Sequence, residues 1–169
     1  RGPQGTLYGR NTIGGAVKYV TKPLPQDLSV RLKGTLGTDK QADGVVSVSA
    51  PLGSMIRLGG SLARLSRAGF GKNLTNGLDN YNKDVWAGRG TLEIGGYDEP
   101  VLIRISGDYS RDKSNPRGGH RLIPSLASGA PVLSNVFDTR GGLNDPKQDI
   151  EAYGLAMNVT AELTDSLTF

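Results

Sequence analysis

The chain has 169 residues, enough for one domain, with 25 glycines, 9 prolines, 6% aromatic residues and a formal net charge of +4. It has no cysteine and one histidine, which excludes a disulfide framework, a thiolate metal site and a multi-histidine metal centre within the chain. No run approaches the ~18 apolar residues of a membrane-spanning helix, and no basic cluster interleaves with aromatics, so nucleic acid is not expected as a partner.

The first stretch, Arg1–Pro23, reads RGPQGTLYGRNTIGGAVKYVTKP. Gly2, Gly5, Gly9, Gly14 and Gly15 punctuate it, as befits tight turns and close backbone approach. A short β-like run, Ala16–Thr21, follows the glycine pair. Gly5–Arg10 lacks the lysine-hydroxyl ending of a phosphate loop.

Beyond Pro25 the texture turns to alternation with period two, the mark of strands with one apolar and one wet face. In Leu28–Gly37, Leu28, Val30, Leu32 and Leu36 oppose Ser29, Arg31, Lys33 and Thr35. Thr38–Asp43 is a polar turn, and Gly44–Leu52 and Ile56–Arg64 are the next strands. Ser66–Lys83 is read as a loop rich in Gly and Asn. The strand near Asp84–Ile94 carries Trp86, Leu92 and Ile94 against Arg89, Thr91 and Glu93. Val101–Arg111 follows a tight connection, with Ile103, Ile105 and Tyr109 opposite Arg104, Ser106 and Asp108. Asp112–Lys147 is the longest irregular stretch, of a length that normally signals a functional loop. Gln148–Leu163 alternates again, with Tyr153, Leu155, Met157 and Val159 on one parity, and Leu167–Phe169 starts a seventh strand.

No catalytic set has workable spacing, so an enzyme is not expected. His120 is read as a solvated loop histidine. Asn80, Asn82 and Asp84 lack the glycine and terminal glutamate of a calcium loop. The sequons at Asn73 and Asn158 are formal matches only. The connections run short, tight, long, tight, very long, tight. Up-and-down sheets with tight turns at one end and long loops at the other characterise outer-membrane barrels, whereas a soluble sandwich mixes loop lengths at both ends.

Arg1–Lys22 resembles the end of the plug domain of TonB-dependent outer-membrane receptors. In that family an Arg-Gly-Pro turn precedes a Leu-Tyr-Gly step, then an Asn and a glycine pair lead into a last plug strand ending in Thr-Lys. The resemblance implies an all-β fold class: a partial antiparallel up-and-down transmembrane β-barrel of six to seven strands, preceded by the C-terminal end of a small α/β plug. Residues 1–24 would be the plug's end and 25–169 the first part of a wall of about 22 strands. The chain begins in mid-motif and is read as an internal piece of a longer protein.

The resemblance further implies active import of a scarce ligand, an iron-siderophore complex above all, across the bacterial cell outer membrane. Implied partners are outer-membrane lipid, the transported ligand and a TonB-type energy-coupling protein of the inner membrane. The full-length protein is expected to be a monomer, with no covalently bound cofactor. Arg1 and Arg10 are the implied plug-to-barrel contacts, reaching wall glutamates expected beyond Phe169, and Gly2, Gly9, Gly14 and Gly15 the plug turns. Trp86, Tyr109 and Tyr153 share the apolar parity on three adjacent strands and are predicted to form an outer aromatic girdle. A passive porin or adhesin barrel and a soluble β-rich binding protein remain the alternatives.

Overall fold

The computed structural model describes residues 21–95, 99–115, 119–141, 148–164 and 167–168. Six long strands carry the fold: β1 (Ser29–Gly37), β2 (Gln41–Pro51), β3 (Ile56–Arg67), β6 (Lys83–Ile94), β7 (Val101–Asp112) and β8 (Ile150–Thr164). Between β3 and β6 lie the two short strands β4 (Gly71–Lys72) and β5 (Asp79–Asn80), and β9 (Leu167–Thr168) closes the described chain. The large sheet runs β1-β2-β3-β6-β7-β8-β9, and every pairing in it is antiparallel. The chain therefore goes up and down without a crossover, and β4 and β5 form a separate hairpin.

The alternating sequence dictates this sheet. Directly paired residues share a face, so the register joins the apolar parities of all six strands into one surface. One row runs Val48, Gly60, Gly90, Gly107 and Leu155, and the next Ala50, Leu58, Leu92, Ile105 and Met157. Among the described residues no hydrophobic side chain is fully buried, and Leu32 (77%), Leu36 (86%) and Leu155 (82%) stand largely exposed. A soluble sheet of this width would pack that face into a core. Here the buried groups are polar, and the apolar face is bare.

The strand boundaries sharpen the sequence reading at two places. The expected turn Thr38–Asp43 is shorter: Gln41 donates its amide to the Thr38 carbonyl, and Asp39 and Lys40 both take positive φ. Two left-handed residues at the centre of the turn give a twist that matches the strands; with Gly37 paired to Gln41 the connection is the three residues Thr38–Lys40, and β2 accordingly starts at Gln41. Ser66–Lys83 is not wholly irregular, since β3 runs on to Arg67 and the hairpin β4–β5 lies within it. The short connections 52–55 and 95–100 lie at one end of the sheet. The long ones, 68–82 and 113–149, lie at the other.

Candidate functional site

The wet parities build a second, continuous surface, and its charges pair across strands. Near the tight-turn end, Pro51, Arg57, Glu93, Arg104 and Asn158 form one row. Glu93 is 0% exposed and Arg57 3%. Arg104 donates Nε and Nη2 to Glu93 Oε1 at 2.8 and 2.7 Å, and Arg57 donates Nε to Oε2 at 3.1 Å. Arg57 Nη2 also reaches the Gly95 carbonyl at 2.9 Å, tying the row to the turn below it. The Leu24 amide donates to both Glu93 oxygens at 3.2 Å.

Halfway up, Arg89 pairs with Asp108 at 3.1 Å and donates to Ser106 Oγ at 3.2 Å. Both members of this pair are far more exposed than the lower cluster. The wet surface is thus a graded polar wall: dry and tightly paired at the base, open higher up.

At the long-loop end the surface rises into an open cleft of about 780 Å³, lined by Arg67, Phe70, Tyr81, Lys83, Asn115 and Gln148 among others. Arg67 stands 5.1 Å from the Phe70 ring centre, and its Nη2 donates to the Tyr81 carbonyl at 2.7 Å. Its buried Nε has no hydrogen-bond partner among the described residues. The Phe70 and Tyr81 rings stack at 5.0 Å, and Phe137 meets Phe70 edge-on at the same spacing. Tyr81 holds φ at 64°, a conformation rare for a bulky side chain and found where surroundings over-determine it.

Those surroundings are the two long loops locked together. Asn80, 4% exposed, donates to the Phe137 carbonyl and to Thr139 Oγ1 at 3.2 and 3.1 Å. Asn73 pairs with Thr139 as a parallel bridge and donates to the Gly141 carbonyl at 2.8 Å. Gly71 must lack a side chain, because a Cβ there would collide with the Phe137 carbonyl. Asn115 reaches back to Asp79 and Asn82. At the outer edge of this end, Arg111 chelates Asp149 at 2.8 and 2.7 Å. Those bonds hold the Asp149 carboxyl below its ordinary value of 3.8.

The sequence-predicted residues distribute as follows. Arg1, Arg10, Gly2, Gly9, Gly14 and Gly15 lie outside the described residues. Trp86, Tyr109 and Tyr153 lie on the apolar face: Tyr109 pairs directly with Tyr153 and with Gly88, two residues from Trp86. All three are exposed there, and Trp86 packs 5.2 Å from the Arg64 guanidinium, itself paired with Asp84. Sequence reasoning missed a fully buried glutamate, Glu93, held by Arg57 and Arg104 of the same sheet; it is separate from the glutamates expected beyond Phe169 as partners of Arg1 and Arg10. The shared wet parity of Arg57, Glu93 and Arg104 was the available signal; their register was not.

The sequence matches no family model and no curated protein. A structural likeness exists to the ferric yersiniabactin uptake receptor FyuA from Yersinia pestis. Its TM-score is 0.74 at 18% identity, over 98% of this chain. The fold is therefore that of a partial antiparallel β-barrel, shared with that receptor over this stretch. The chain spans 25% of that receptor's chain.

Proposed function

We propose that this chain is wall from an outer-membrane barrel that actively imports an anionic ferric chelate of the siderophore kind. One observation carries the reading: a sheet of receptor-barrel fold with a bare apolar face on one side and a paired, charged face on the other. Lipid satisfies the first face, and a polar lumen satisfies the second. Trp86, Tyr109 and Tyr153 then belong to the aromatic band at the membrane–water boundary, where a ring is buried and its polar tip stays wet.

The cleft at the long-loop end supplies the mouth. Arg67 and Lys83 bring positive charge, Phe70 and Tyr81 offer flat apolar faces, and the interlocked loops keep them in place before any ligand arrives. The Arg67 guanidinium lines this cleft and is the cation proposed to meet an anionic oxygen. Residues 1–24 fit the end of a plug inside the lumen, and energy for import would come through a TonB-type partner of the inner membrane. The organism's outer membrane is the corresponding location.

The test is uptake. Deletion of the natural gene from iron-starved cells is expected to abolish accumulation of one radiolabelled ferric chelate, restored by the gene in trans and blocked by a protonophore. Arg67→Ala should weaken binding of that chelate roughly tenfold to a hundredfold, the worth of a charge-assisted hydrogen bond. Uptake unchanged by the deletion, or insensitive to the protonophore, would contradict active import.

A further inference from the structure

Leu24 lies five residues before the first strand, yet it does not sit beside it. Leu24 contacts β3 and β6, the third and fourth strands of the sheet. Strands lie about 4.8 Å apart, so three spacings from β6 back to β1 span roughly 14 Å. The five steps from Leu24 to Ser29 reach about 17 Å when fully extended. The segment therefore has length enough to cross the inner face, and it bends at Gln26–Asp27 before entering β1.

Its sequence suits that path. Pro23 and Pro25 flank Leu24, stiffening the backbone and biasing Leu24 towards an extended conformation. Neither proline has an N–H, which leaves the Leu24 amide as the single backbone donor of the tripeptide. Glu93 takes it with both oxygens, while Arg57 and Arg104 hold the carboxylate from either side. The wall is also shaped for the crossing. Ser29, Ser49, Gly59 and Thr91 form a row of small residues across β1, β2, β3 and β6. A Cβ added to Gly59 would come within 2.5 Å of a Leu24 methyl, so the leucine side chain fills the space that the glycine leaves.

We propose that Pro23-Leu24-Pro25 is a strap latched to the inner wall, and that the Arg57–Glu93–Arg104 cluster is its docking site. On the reading given above, the strap is the tether between plug and barrel. A pull on the residues before it is then taken by β3, β6 and β7 through Glu93, and not by the β1–β2 ladder. The exit point of the plug is fixed while the rest of it moves.

Hydrogen exchange reads the latch directly, because Leu24 has the only exchangeable amide between residues 23 and 25. The measurement uses the natural gene product in outer-membrane bilayers. The Leu24 amide is expected to be protected in the wild-type protein and to exchange roughly tenfold to a hundredfold faster in Glu93→Gln, as loss of a hydrogen bond to a charged group requires. Gly59→Phe should do the same by filling the groove while leaving the arginine–glutamate cluster intact. Protection of the β6 and β7 amides shows that each variant is folded, and Gly59→Phe decides the matter if Glu93→Gln is not. Exchange at the free-peptide rate in the wild type, or protection unchanged in a folded variant, overturns the latch. Exchange does not depend on transport, so failure of ligand uptake with a protected Leu24 would count against the transport reading alone.

Discussion

Glu93 and Arg89 lie on adjacent stretches of the same strand and face the same way, but they differ in what their removal should cost. Glu93 is wholly buried between two guanidiniums, and deleting it leaves their charge in a dry site. Glu93→Ala is expected to destabilise the barrel by about 3–5 kcal/mol. Arg89 and Asp108 are 39% and 49% exposed, so water already screens the pair, and Arg89→Ala should cost less than about 1 kcal/mol. Denaturant titration of both variants in lipid vesicles checks the contrast; equal losses would contradict it. The parity of these residues is legible in the sequence, since Arg57, Glu93 and Arg104 all fall on the wet side. Their convergence is not, because it depends on the lengths of two turns that set the register. The Leu24 contact had no signal at all: a backbone amide looks the same in every sequence.

At the scale of elements, the long strands follow from hydrophobic alternation alone, and their faces are those the sequence predicts. The loops do not follow. Stretches 68–82 and 119–141 are rich in Gly, Asn and Ser, residues that read as irregular because their bonding is non-local. Folded, those same residues tie one loop to the other through Asn73, Asn80 and Thr139, all buried. A mouth held by such bonds is a preformed one. Asn80→Ala removes two of them and leaves the Thr139 hydroxyl and the Phe137 carbonyl short of a donor, at a cost of about 1–3 kcal/mol. Faster hydrogen exchange across residues 135–141 is expected, with β3 and β6 unaffected. Unchanged exchange there would show that the loops are held by other means.

For the whole molecule, the decisive property is the lack of any fully buried hydrophobic side chain among the described residues. Six amphipathic strands with their apolar side open form one layer, and a single layer needs a second solvent. The sequence carries this information only jointly. Each strand alone suits a sandwich as well as a barrel, and the order of short and long connections is what separates them. The glycine-rich opening adds the resemblance to a plug, carried mostly by residues 1–20, which lie outside the described ones.

The central claim is that one face of this sheet meets lipid and the other a water-filled lumen. A nitroxide scan along β8, residue by residue from Glu151 to Thr160 in the natural gene product reconstituted into bilayers, tests it most directly. Tyr153, Leu155, Met157 and Val159 share the apolar face, whereas Ala152, Gly154, Ala156 and Asn158 share the wet one. Collisions with oxygen, which concentrates in lipid, should peak at the odd-numbered positions, and collisions with a water-soluble nickel chelate at the even-numbered ones. A scan with no period of two, or with the two parities exchanged, would contradict the account.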